Sequence, residues 1–171
     1  MTGGLSHADA PDYLQLDPAD TEHLAQLLTL GVKAFEPLGD YRQTLDYWIR
    51  REGVQTWFVR SGTTVTGFIT YAFIQADNGP PVAEIIAVAV APQARRKGLG
   101  RALLLHGMNE VRQGGALIGV QEITLNVASD NEAARRLFKS EGFGFGTASG
   151  RYPLGQDCMR LVHNLDDSQQ P

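Results

Sequence analysis

The 171 residues carry 15 Lys and Arg against 19 Asp and Glu, a formal net charge of −4, and 43% of them are hydrophobic. That suffices for the core of one ordinary domain, and the acidic balance argues against a nucleic-acid partner. No apolar run reaches a membrane span, no basic-then-apolar signal pattern opens the chain, and the single Cys158 permits no internal disulfide, so a cytoplasmic protein is expected.

Residues 1–12 are small and polar and should fray, as should residues 166–171, which leaves 13–165 as one domain. Asp17 to Phe35 sets Leu24, Leu27, Leu28, Val32 and Phe35 at helical spacing, with Asp17 or Asp20 as cap. Pro37 and Gly39 break that helix, and Tyr41 to Arg51 reads as a second, short one ended by Gly53. Thr56 to Arg60 and Val65 to Phe73 are β-rich runs joined by Ser61-Gly62-Thr63, a hairpin signal. Gln75 to Pro81 is a loop. Ala83 to Val90 is an apolar strand closed by Pro92, which cannot continue a ladder.

The spacing predicts a helix over 98–112, with residues 100, 103, 104, 107, 108 and 111 in one apolar or glycine stripe. Arg101, Asn109, Glu110 and Arg112 should face water, His106 reads as a solvated histidine, and Gly114-Gly115 should stop the helix. Glu122 to Val127 is the next strand. Ser129-x-x-Glu132 reads as a capping box for a further helix, which Gly142 ends. Asp157 to His163 is a last strand. The order of elements implies an α/β fold, a mixed sheet covered by helices. His7, His23, His106, His163 and Cys158 show no metal-ligand spacing, so no metal is expected.

Residues 88–105 bear most directly on function. A strand, a turn with free N–H groups and a helix start together make an anion site. Gly98 and Gly100 remove side chains where a phosphate must approach, and Arg95, Arg96, Lys97 and Arg101 add positive charge. A phosphorylated cofactor is expected. It is not held by a Walker loop, because Arg101 and Ala102 stand where Lys and Ser or Thr would be needed. Nor is this a dinucleotide fingerprint, because residue 103 is Leu.

Arg95-x-x-Gly98-x-Gly100 resembles the pyrophosphate loop of the Gcn5-related N-acetyltransferases, the GNAT family. Val88-Ala89-Val90-x-Pro92 precedes it as that family's fourth strand does. Asn131-x-x-Ala134-x-x-Leu137-Phe138 followed by Glu141-Gly142-Phe143 resembles its second signature. The likeness implies a mostly antiparallel mixed sheet, splayed between the fourth and fifth strands. It implies acetyl-coenzyme A as cosubstrate, an amine as acceptor, and a monomer or homodimer. Val88, Ala89 and Val90 would meet the pantetheine arm, the main chain of residues 95–101 (Leu99 included) the pyrophosphate, and Asn131 and Phe138 the cofactor from the following helix.

Glu84, a carboxylate costly to bury unpaired within an apolar strand, sits where some family members place a general base. The tyrosine that usually protonates the leaving thiolate is Phe138 here. A base position of the N-terminal-amine branch is filled by Asn126, which can orient a water. Tyr152, in Tyr152-Pro153…Gly155-x-Asp157, resembles a hairpin tyrosine at the acceptor site of ribosomal-protein and peptide N-terminal acetyltransferases, and is the substitute acid. Phe35 and Tyr41 resemble an acceptor loop of that branch. A peptide or protein α-amine is the favoured acceptor. A small amine and a non-catalytic acyl-coenzyme A-binding module are the alternatives.

Overall fold

The computed structural model describes residues 10–166; the rest of both expected tails, with His7, lies outside the described residues. The elements in chain order are β1 (Leu14–Gln15), α1 (Thr21–Phe35), α2 (Arg42–Arg50), β2 (Val54–Ser61), β3 (Thr64–Ile74), β4 (Val82–Val90), α3 (Leu99–Ala116), β5 (Glu122–Ala128), α4 (Glu132–Ser140), β6 (Gly144–Arg151) and β7 (Asp157–Asn164). The strands form one sheet ordered β1-β2-β3-β4-β5-β7-β6. Every pairing is antiparallel except β4 with β5, the pair that α3 joins by a crossover.

Each helix lays its apolar stripe on one face of this sheet. Leu24, Leu27 and Leu28 of α1 and Leu45 and Ile49 of α2 bury against Phe58, Val65, Phe68, Ala87 and Ala89. On the opposite face Leu103, Leu104, Met108 and Val111 of α3 and Phe138 of α4 pack on Ile69, Tyr71, Ile85, Ile123 and Leu125. The expected stripe on α3 is therefore the buried one. It lies so close to the sheet that a Cβ on Gly107 would collide with Ile69 Cδ1.

Several local expectations change. Asp20 is the cap of α1, its carboxylate accepting from the His23 N–H at 3.2 Å. Helix α3 runs through Gly114-Gly115 to Ala116. These glycines serve close packing rather than termination, because a Cβ on Gly115 would approach Val120 Cβ to 2.9 Å. Termination falls instead to Gly119, left-handed at φ 79°. Asn131, and not Ser129, caps α4, its Oδ1 accepting from the Ala134 N–H at 3.2 Å. Two strands, β1 and the glycine-rich β6, have no alternating pattern to announce them.

His106 is not solvated. Its ring stacks parallel on Tyr13 at 4.0 Å between centroids and meets the edge of Trp57 at 4.7 Å. Burial holds its imidazole below the ordinary value of 6.5, against the opposing pull of Glu110. The native state thus binds fewer protons than the unfolded chain below that value, so stability present above it drains away as pH falls. The unfolding midpoint should drop between about pH 7.5 and about pH 5.5. His106→Phe, which keeps a ring on Tyr13, should flatten that slope. An equal slope in variant and parent would exonerate His106.

Candidate functional site

One extra residue in β4 decides where its side chains point. Thr70 of β3 pairs with Ala87 and Tyr71 with Ile85, which leaves Ile86 as a bulge. Before it, Ala83 and Ile85 face the α3 side. After it, Ala87 and Ala89 face the α1–α2 side, and Val88 and Val90 turn to α3. Pairing with β5 ends at the same place: its partners are Ala83 with Ile123, Glu84 with Thr124 and Ile85 with Leu125. Beyond Ile85 the two strands diverge, and a cleft of ≈ 760 Å³ opens there, lined from both faces of the sheet.

On the α3 side the cleft meets the basic turn. Arg96 adopts φ 62° and Gly98 φ 76°, and Gly98 then caps α3. The first intrahelical bond runs from the Ala102 N–H to the Gly98 carbonyl at 3.0 Å, so the N–H groups of Leu99, Gly100 and Arg101 lie in the unbonded first turn. Arg96, Lys97 and Gly98 are exposed. Arg95 lines the cleft and donates from Nε to the Val90 carbonyl at 3.1 Å. Arg101 turns instead to Glu141, pairing at 2.6 Å. The signature glutamate of Glu141-Gly142-Phe143 thereby ties the end of α4 to the start of α3. Asn131 and Phe138 line the same cleft, and Phe138 is buried edge-on against Phe143.

On the α1–α2 side a second set converges. Glu84 Oε1 lies 3.5 Å from Asn126 Nδ2 and 3.9 Å from Arg160 Nη1, and its side chain is 23% exposed. The carboxylate is therefore neither sealed nor unpaired. Arg160 is braced by Thr124 Oγ1 at 2.9 Å. Phe35, Tyr41 and Tyr152 are in sequential contact, at 6.0 and 6.5 Å between centroids. A clasp holds these elements together: Gln156 Nε2 donates to the Pro37 carbonyl at 2.6 Å, and Gly39 sits against Pro153. Burial, with the hydrogen-bonded Cys158 thiol beside it, pushes the Tyr152 phenol far above its ordinary value. Burial and Cys158 also raise Tyr41.

The structure brings Val88, Val90, Arg95, Asn131 and Phe138 to the cleft on the α3 side and Phe35, Tyr41, Asn126 and Tyr152 on the α1–α2 side. Arg96, Lys97, Gly98, Leu99, Gly100 and Arg101 lie outside its lining, and Ala89 turns to the α1–α2 core. Arg160 and Cys158 were missed. Both sit on β7 directly opposite residues of β5, Arg160 across from Asn126 and Cys158 across from Ala128. Strand parity measured from Asn126 could have found them. Ile86 carries no signal in the sequence. Among the described residues, no three His, Cys, Asp or Glu are grouped to hold a metal ion.

Comparison with known proteins adds an independent line. The family model for the acetyltransferase (GNAT) family matches residues 21–145, taking in α1 to α4 and leaving β7 outside. The chain is 35% identical over 143 residues to a mycothiol acetyltransferase of Nocardiopsis dassonvillei, covering 76% of this chain and 42% of that protein. It spans about half the length, or less, of the curated relatives it matches. A structure of the NatC complex bound to Gag peptide and CoA superposes with a TM-score of 0.72 at 22% identity, over 90% of this chain and 98% of that one. The ribosomal-protein-S18-alanine N-acetyltransferase from Escherichia coli gives 0.68 at 22% identity, over 90% and 93%. At this identity the two superpositions establish the fold.

The two turn glycines should behave oppositely. Gly98 is left-handed, so Gly98→Ala should cost about 1–2 kcal/mol of stability. A Cβ on Gly100 would meet only Val90 Cγ2 at 3.7 Å and Leu137 Cδ2 at 3.9 Å, ordinary contacts, so Gly100→Ala should be neutral or stabilising by up to about 1 kcal/mol. Urea unfolding of both variants checks this. A destabilised Gly100→Ala would mean the fold itself requires that glycine.

Proposed function

Because the chain belongs to the acetyltransferase (GNAT) family, we propose that it moves the acetyl group of acetyl-coenzyme A to a primary amine, with the α-amine of a peptide or protein as acceptor. The observation that carries this reading is the cleft at the β4–β5 divergence. It runs from Arg95, Asn131 and Phe138 on one face of the sheet to a carboxylate and an aromatic wall on the other. A thioester carried by a phosphorylated arm and an amine arriving from opposite faces would meet at Glu84 and Ile86.

The residues fit the cosubstrate. A Cβ on Gly98 would meet nothing within 4 Å, so the space above the turn is free. The fold has no steric or conformational need for a glycine at residue 100, which leaves ligand approach as its reason. In this reading the N–H groups of Leu99, Gly100 and Arg101, with Arg95, Arg96 and Lys97, hold the pyrophosphate. The edge of β4 from Ile86 to Val90, paired only with β3, receives the pantetheine arm beside Asn131 and Phe138. Acetyl-coenzyme A supplies an activated acetyl group as a thioester.

Glu84 then takes the proton of the incoming ammonium, directly or through a water oriented by Asn126. Arg160, 3.9 Å away, helps hold the carboxylate in place. At pH 7 an α-amine of pKa about 7.8 is neutral roughly one part in seven, whereas a lysine near 10.4 is neutral roughly one part in 2,500. A half-open Glu84 shared with Arg160 suits the less demanding amine. The raised Tyr152 phenol is a poorer proton donor than a free tyrosine, so its place is in the acceptor wall, and the thiolate takes its proton from solvent.

Thioester consumption with a panel of short peptides and free amines tests the reading. The wild-type chain should turn over peptides with free α-amines, and Glu84→Gln should lower kcat by about 10²–10⁴-fold while coenzyme A still binds. An unchanged rate and pH profile in Glu84→Gln would remove that carboxylate from the chemistry. Calorimetry should show Gly100→Val folded but with coenzyme A affinity reduced at least about tenfold, one lost contact in free energy. Full affinity in that variant would place the pyrophosphate elsewhere.

A further inference from the structure

The acceptor end of the cleft carries more information than the presence of an amine site. Its wall is built by Phe35, Leu38 and Tyr41 from the α1–α2 segment and by Tyr152 and Cys158 from the β6–β7 hairpin and β7. The rings of Phe35, Tyr41 and Tyr152 touch in sequence at 6.0 and 6.5 Å, within the range of direct aromatic contact. Their successive planes are tilted 53° and 60° to one another, so neither touching pair stands as parallel faces enclosing a cation.

Charge points the same way. The charged side chains lining the cleft are Glu84, Arg95, Asp130 and Arg151. Glu84 faces Asn126 and Arg160, Arg95 bonds the Val90 carbonyl, and Arg151 pairs with Asp157 at 3.2 Å. Asp130 lies in the β5–α4 turn, next to the α4 cap. Among the described residues, none of these carboxylates stands in the aromatic wall to receive a second ammonium. A buried cation without a partner is costly, and so is a hydroxyl or amide lacking a hydrogen-bond partner. An alkyl or aromatic substituent loses nothing there and gains burial.

Resting on the acetyl-transfer reading above, we propose that this wall selects acceptors with a single cationic nitrogen and a large apolar substituent next to it: peptides whose first residue is Leu, Met, Ile or Phe. Polyamines, polycationic sugars and peptides opening with Lys, Asp or Ser are rejected. The apolar side chain lies on Tyr41 and Tyr152, with the Cys158 thiol as a soft, weakly polar floor.

The test is kcat/KM for thioester consumption over matched peptides differing only in their first residue, with hexylamine and spermidine alongside. Leu- or Phe-initiated peptides should exceed Ser-, Asp- and Lys-initiated ones by about 10–200-fold, the discrimination an apolar pocket provides. Hexylamine should exceed spermidine. Tyr41→Ala and Tyr152→Ala should each shrink the apolar preference severalfold, and Tyr41→Phe should retain it; the two alanine variants lie on different elements, so one failing to fold leaves the other. Equal or greater turnover of Ser, Lys or spermidine acceptors would overturn this inference while leaving acetyl transfer standing. An undiminished preference in both alanine variants would overturn it too. Absence of turnover with every amine, in protein that binds coenzyme A, would overturn the acetyl-transfer reading and this inference with it.

Discussion

A row of hydrogen bonds that β4 and β5 do not make is the constraint from which the cleft follows. Two parallel neighbours in the middle of a sheet would ordinarily pair along their whole length, and these stop after Ile85 and Leu125. Leaving buried backbone groups unsatisfied costs about 1–3 kcal/mol each, so such a gap persists only where water or a ligand enters it. The bulge at Ile86 makes the gap tolerable: it bends β4 away from β5 while keeping the ladder to β3 intact through Val90. The same bulge hands Ala87 and Ala89 to one core and Val88 and Val90 to the other. The strand thus changes which face each residue serves at the point where the two substrates would have to meet.

The rest of the fold keeps that opening from collapsing. Two separate cores clamp the sheet, one under α1 and α2, the other under α3 and α4. Small residues bring α3 down onto the sheet, with Gly107 on Ile69 and Gly114 and Gly115 on Phe73, so its N-terminus is fixed relative to β4. The Arg101–Glu141 pair does the same for the end of α4. It also draws one of the turn's four basic side chains away from the proposed anion site, leaving Arg95, Arg96 and Lys97 for it. On the other face the Gln156–Pro37 bond and the Gly39–Pro153 contact bridge segments more than 100 residues apart, so the aromatic wall is a joint product of both chain halves.

What could be read in the sequence was what repeats with a period or depends on a turn. The stripe of Leu103, Leu104, Met108 and Val111, the strand ending before Pro92 and the helix-ending Gly142 are local statements, and each has its counterpart in the structure. Long-range packing was not legible. Gly114-Gly115 looks like a helix stop until Phe73 and Val120 are seen pressing on them. His106 looks wet until Tyr13, 93 positions earlier in the chain, lies flat on it. Asn131 and Ser129 compete as caps within three residues, and only the turn geometry chooses between them. The bulge at Ile86 changes parity without changing composition, so an unbroken reading of residues 83–90 assigns Ala87 and Ala89 to the wrong face.

Phe138 illustrates how the two readings combine. Its position resembles one that carries a tyrosine in relatives, and here the ring is 8% exposed and set edge-on to Phe143. A hydroxyl is not needed to hold that ring, so its loss leaves the packing whole. Burial and the Cys158 thiol drive the Tyr152 phenol upward, which makes it a weaker proton donor to a thiolate of pKa about 8.5 than an ordinary tyrosine. A leaving group of that pKa departs readily as the anion and can be protonated by water at neutral pH. In the proposed reading the site leaves this proton to solvent and commits its half-buried tyrosine to shape. The division of labour is then charge and backbone on the α3 side, one half-open carboxylate at the passage, and apolar surface on the α1–α2 side.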